Sequence, residues 1–123
     1  MQRQIFSVDT DTGRWSQAGP AISGGLVQMR WVPSTADTGA DLKLTLLPRA
    51  DDSGDGWAFF DDNDCLGVQF TKVPIQAIHQ SDGLDTGADN SSAVAFCGDR
   101  LQVEVTPGGA AVVGNLYVWF TTE

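Results

Sequence analysis

The stretch RLQVEVTPGGAAVVGNLYVWF, Arg100 to Phe120, alternates apolar and polar residues on both sides of a Pro-Gly-Gly break. In its first half Leu101, Val103 and Val105 stand against Gln102 and Glu104; in its second, Leu116, Val118 and Phe120 stand against Tyr117 and Trp119. Successive side chains of a strand point to opposite faces, so a period of two puts each apolar set on one side of a sheet. The period recurs upstream. In LVQMRWV, Val27, Met29 and Trp31 share a face opposite Gln28 and Arg30; in LKLTLL, Leu42, Leu44 and Leu46 oppose Lys43 and Thr45.

Shorter strands are expected at Gln4 to Val8, Trp57 to Phe60, Leu66 to Lys72, Ala93 to Phe96 and Ala111 to Val113, each β-branched or aromatic and bounded by Gly, Pro, Asp or Asn. No window sustains apolar residues at i, i+3, i+4 and i+7, so a helix could only be short and inside a connection. The expected fold is all-β: one domain over residues 1–123, a two-sheet antiparallel sandwich of jelly-roll or other Greek-key topology. Two long connections interrupt it, an acidic one at Ala50 to Gly56 continuing at Asp61 to Asp64, and a polar one at Gln80 to Ser92. Loops of that length are binding surfaces or disordered tips.

Sixteen acidic and seven basic residues give a net charge of −9. That charge repels phosphate backbones and anionic lipid heads, so neither nucleic acid nor a membrane is an expected partner. The start, MQRQIFSVDT, has no apolar core of a signal peptide, and no apolar run approaches the roughly 18 residues of a membrane span. Synthesis in the cytosol is expected. Cys65 and Cys97 are the only cysteines and lack zinc-site spacing, which points to buried free thiols.

The pentapeptide DTGAD occurs twice, at Asp37 to Asp41 and Asp85 to Asp89. Asp-Thr-Gly is the signature of aspartic proteases, whose chemistry needs two carboxylates within about 3 Å in a buried site. The flanks argue against it. Pro33 and Ser34 precede the first copy and Asp82 and Gly83 the second, where an apolar strand should deliver the Asp to the core. A turn that launches the Leu42 strand explains the first copy, and an exposed loop the second.

Asp51, Ser53, Asp55 and Asp62 match the oxygen positions of a calcium loop, but the flanks are not helical, so a solvated acidic loop is the expectation. Asp9 to Gly13, DTDTG, is expected to be a hairpin turn. His79 is the only histidine and has no nucleophile elbow to serve. Asn90-Ser91-Ser92 spells a glycosylation sequon in a chain without a signal peptide. No cofactor, metal or catalytic residue is expected. Trp15, Trp57, Tyr117 and Trp119 are the expected contacts with another subunit or a partner protein, because aromatic residues with a polar handle favour interfaces. In the last strand neither face is polar, which suggests a cover on both sides and self-association.

The stretches GPAISGGLVQMRWVPSTADTGADLKLTL and GDRLQVEVTPGGAAVVGNLYVWF resemble a group of small all-β virion proteins of tailed bacteriophages. In that group a Gly-Pro-x-Ile-x-Gly opening, an apolar strand, a D-T-G-A-D-L turn and a late G-D-R-L strand with a Gly-Gly turn recur. The resemblance implies a structural protein of the capsid decoration or cement type, bound to the major capsid protein on the outside of the head. Closed symmetry is the rule for homo-oligomers, so the two-faced last strand leads to the expectation of a homotrimer, which would match the local threefold points of a capsid lattice. The alternatives are a retroviral-type homodimeric aspartic protease and a calcium-dependent β-sandwich binding module.

Overall fold

The computed structural model describes residues 2–11, 13–35, 37–48, 56–77 and 91–121. Within them the chain forms nine strands: β1 (Gln2–Asp9), β2 (Trp15–Thr35), β3 (Asp41–Leu47), β4 (Trp57–Asp62), β5 (Phe70–Lys72), β6 (Ile75–Ala77), β7 (Ser91–Ala93), β8 (Ala95–Thr106) and β9 (Val113–Phe120). The fold is all-β, as the periodicity required. Seven strands join in the order β1-β9-β2-β8-β3-β4, with β5 on β2, and every pairing is antiparallel. β6 and β7 pair separately.

The long β2 organises the molecule. Its first half, Trp15 to Gly25, pairs with β8, and its second half, Leu26 to Thr35, pairs with β9. The handover falls at Gly24, where φ is +139° and a Cβ would collide with the Thr121 carbonyl. Only glycine suits that backbone, and it lets one strand turn from one set of partners to the other. Two flanking contacts fix the corner: the Leu26 N–H donates to Val94 O at 2.8 Å and the Thr121 N–H to Gly25 O at 2.9 Å. Two sheets result, β1-β9-β2-β5 and β2-β8-β3-β4, sharing β2. They close over one core, since Gln4 and Phe6 of β1 lie against Gly19 in the other half of β2.

The core holds Phe6, Val8, Ile22, Leu26, Met29, Trp31, Leu42, Leu44, Leu101, Val103, Val105, Leu116, Val118 and Phe120, all buried. Burying each aliphatic or Phe side chain contributes about 1.5–3 kcal/mol. Phe96 bridges the sheets at the corner, edge-on to Phe120 at 5.4 Å and to Phe59 at 6.1 Å. Trp31 is wholly buried, and its indole N–H donates to the Leu66 carbonyl at 3.1 Å. That bond removes the penalty of burying a lone donor. One polar group escapes this economy: Gln4 is 8% exposed and neither amide atom has a partner among the described residues.

Several expectations need correction. A bulge between Leu26 and Gln28 shifts the phase of β2, so Leu26 is buried with Met29 and Trp31 while Val27 is only half-buried. Leu46 is half-buried and Thr45 buried, because β3 meets a bulge in β4 between Leu44 and Thr45. β5 begins only at Phe70, and Ala111 lies outside β9. Asp61 and Asp62, read as loop, end β4. The DTDTG turn does not make a hairpin: β1 pairs with β9 and never with β2. Both cysteines are free, but Cys97 is exposed and Cys65 only half-buried. The second DTGAD, His79, Asn90 and the calcium-loop residues Asp51 to Asp55 lie outside the described residues.

Candidate functional site

Asp37, the first residue of the first DTGAD, is the most heavily bonded carboxylate among the described residues. Its Oδ1 accepts from the Gly39 N–H at 3.0 Å, the local turn bond that the sequence suggested. Its Oδ2 reaches across the molecule and accepts from the Gly108 N–H at 2.8 Å and the Ala110 N–H at 3.2 Å, in the turn between β8 and β9. The two turns touch through glycine alone, since a Cβ at Gly108 would lie 2.5 Å from the Gly39 backbone. These N–H donors, Gly39 first and then Gly108 and Ala110, hold the Asp37 pKa below its ordinary 3.8. A proton-sharing dyad requires the reverse, a carboxyl raised by a like charge beside it. Asp37 is a clamp between two turns.

The protein's chemically distinctive surface lies elsewhere, on the outer face of the β1-β9-β2 sheet. Tyr117 and Trp119 of β9 are half-buried and stack on each other, ring centroids 6.1 Å apart and planes 24° apart. β1 and β2 flank them. The Arg3 guanidinium sits 5.7 Å from the Tyr117 ring centre and that of Arg30 5.8 Å from the Trp119 ring centre. In register Arg3 faces Trp119 and Arg30 faces Tyr117, so both contacts are diagonal ones. Each cation–π contact contributes about 0.5–1 kcal/mol at an exposed site. Arg30 is steadied further by its Nε–H donating to Thr71 Oγ1 at 3.3 Å, and the exposed Ile5 extends the patch. Among the described residues neither arginine has an acidic partner.

The expected contact residues therefore divide. Tyr117 and Trp119 come together on one face; Trp57 is exposed on β4 at the other end of the strand order, and Trp15 packs against the core from the start of β2. Arg3 and Arg30 were missed. The period of two set Arg30 on the polar side of its strand, but nothing in the sequence said that β1 and β2 flank β9.

Other features are modest. A cavity of about 160 Å³ is lined by Arg14, Asp41, Lys43, Asp61, Glu104 and Thr106, whose charges largely offset one another. A depression of about 470 Å³ beside the Asp37 clamp is lined by Asp11, Pro107, Gly109, Ala110 and Ala111. Asp62, the described member of the calcium pattern, is ion-paired with Lys72 at 3.0 Å. Burial first, and then the charge of Asp62, push the Cys65 thiol up to about 11.

No family model and no curated protein matches the chain. Among solved structures, one described as "Structure of infectious bursal disease virus Gx strain" is similar over 95% of this chain at 14% identity, with a TM-score of 0.26. The chain spans 32% of that chain's length. A TM-score this low transfers neither fold nor role.

Proposed function

We propose that the chain is a virion structural protein of the capsid decoration type, which binds the outside of a bacteriophage head through the major capsid protein and associates with copies of itself as a trimer. The observation that carries this reading is the Asp37 clamp. D-T-G-A-D-L and the late Gly-Gly turn, two of the motifs on which the resemblance rests, are two halves of one contact in the folded chain. Their chemistry is mechanical: a carboxylate saturated by three amides ties the start of β3 to the turn between β8 and β9. The reading assigns the motif no catalytic role.

The surface supports the same conclusion. A rigid sandwich that displays stacked aromatics and arginines on a sheet face is built to bind another protein, since aromatic and Arg side chains dominate the energetics of such contacts. A charge of −9 disfavours a place against packaged DNA and suits the outer surface of the shell.

The test is made on particles. Heads assembled without this chain should burst at a lower temperature than complete heads, and purified protein added back should restore the difference. Native heads that do not carry the chain, or heads whose burst temperature is unchanged by adding it, would overturn the reading. So would cleavage of a denatured substrate by the purified protein at mildly acidic pH that is lost in Asp37→Asn.

A further inference from the structure

The outer face of the β1-β9-β2 sheet raises the question of what covers it. Tyr117 and Trp119 are stacked, Arg3 and Arg30 lie against their rings, and Ile5 is 47% exposed beside them. A guanidinium laid on an aromatic ring has its orientation fixed while its N–H edge stays open, so it offers a carboxylate two parallel hydrogen bonds at little further entropic cost. The occupant that fits is acidic. The chain itself is rich in such groups, with sixteen acidic residues against seven basic ones.

Among the described acids, most are already engaged. Asp37 holds the two turns, Asp62 pairs with Lys72, Asp99 accepts from the Cys97 N–H, Asp41 accepts from the Asp64 N–H and Glu104 lies 4.0 Å from Lys43. Asp9, Asp11, Asp61 and Asp64 are exposed and have no ion pair among the described residues; Asp9 shares β1 with Arg3, whereas Asp61 and Asp64 stand together at the end of β4 and just beyond it. A head-to-tail contact, in which this face of one copy meets the β4 end of the next, sets both arginines against acidic groups.

We propose that this face is an interface between copies of the chain, in which Arg3 and Arg30 of one protomer receive the acidic rim Asp61–Asp64 of the next across the Tyr117–Trp119 stack. The inference rests on the self-association part of the proposed function and not on attachment to a capsid. If purified heads lacked the protein but the contact formed in solution, the functional reading would fall and this one would stand.

The experiment is light scattering with sedimentation of the purified chain over a range of concentrations, near-UV circular dichroism confirming that each variant is folded. The wild type should give a mass two or more times the 13.1 kDa of one chain. Arg3→Glu with Arg30→Glu should return it to that of one chain. Arg100→Glu, which lies opposite Ala21 and Leu47 and away from both the face and the acidic rim, also reverses a charge and should leave the mass unaltered. Asp61→Asn with Asp64→Asn should weaken association at least tenfold. A wild type of 13.1 kDa at every concentration, or folded Arg3→Glu, Arg30→Glu protein that keeps its multiple mass, would overturn the proposal; so would an equal loss in Arg100→Glu.

Discussion

Asp37 shows how a single carboxylate can carry architecture. Its pKa is depressed by three N–H donors, so its stabilising contribution is complete above the ordinary value of 3.8 and is lost as pH falls below that towards the folded value. Asp37→Asn is therefore expected to melt at a lower temperature than the wild type at neutral pH, and the gap should narrow as the pH is taken below 3.8 in thermal melts. Gln4 is the opposite case. Its buried amide atoms have no partner among the described residues, and an unsatisfied buried polar group costs about 1–3 kcal/mol. Gln4→Met should thus raise stability by about 1 kcal/mol or more in denaturant titrations, because Met fills similar space without polar atoms. The two thiols differ as well. Cys97 is exposed, whereas Cys65 is half-buried with its pKa pushed up to about 11, so iodoacetamide at pH 8 should modify Cys97 first and leave Cys65 largely unreacted by peptide mass mapping.

At the scale of elements, β2 is where the fold is most exposed to damage. Gly24 combines a φ of +139° with a backbone neighbour where a Cβ would stand. Gly24→Ala is expected to cost about 1–3 kcal/mol or more, read as a lower denaturant midpoint, because strained backbone and overpacking act together. This corner also marks the limit of what could be read in advance. β8, β9, β3 and the second half of β2 were legible, since each buries one face and the period of two records it. The first half of β2 was not, because WSQAGPAISGG carries Pro and three Gly and buries little before Ile22. Its strand character comes from pairing with β8, a tertiary cause with no local pattern. Val27 failed for a related reason: a bulge inserts one residue and reverses the phase that the alternation assumes. The candidate face was half legible, Tyr117 and Trp119 from their own strand and the arginines only from the strand order.

For the whole molecule, the pairing is almost entirely non-local. β8 and β9 follow each other in sequence but have β2 between them, and β1 joins the sheet through the late β9. Such a topology closes only when both ends of the chain are present, which the Asp37 clamp and the Thr10–Val112 contacts, at 3.0 and 2.9 Å, help to secure. Slow, single-phase refolding is the expected consequence. The product presents one face of stacked aromatics and arginines, which the proposed function makes a surface for other proteins. The most direct test is a reconstruction of the native head at side-chain resolution. The account predicts this fold on the outer surface of the shell in groups of three, with Tyr117, Trp119, Arg3 and Arg30 covered by protein. A shell whose outer surface lacks the chain, or a chain facing the packaged genome, would contradict it.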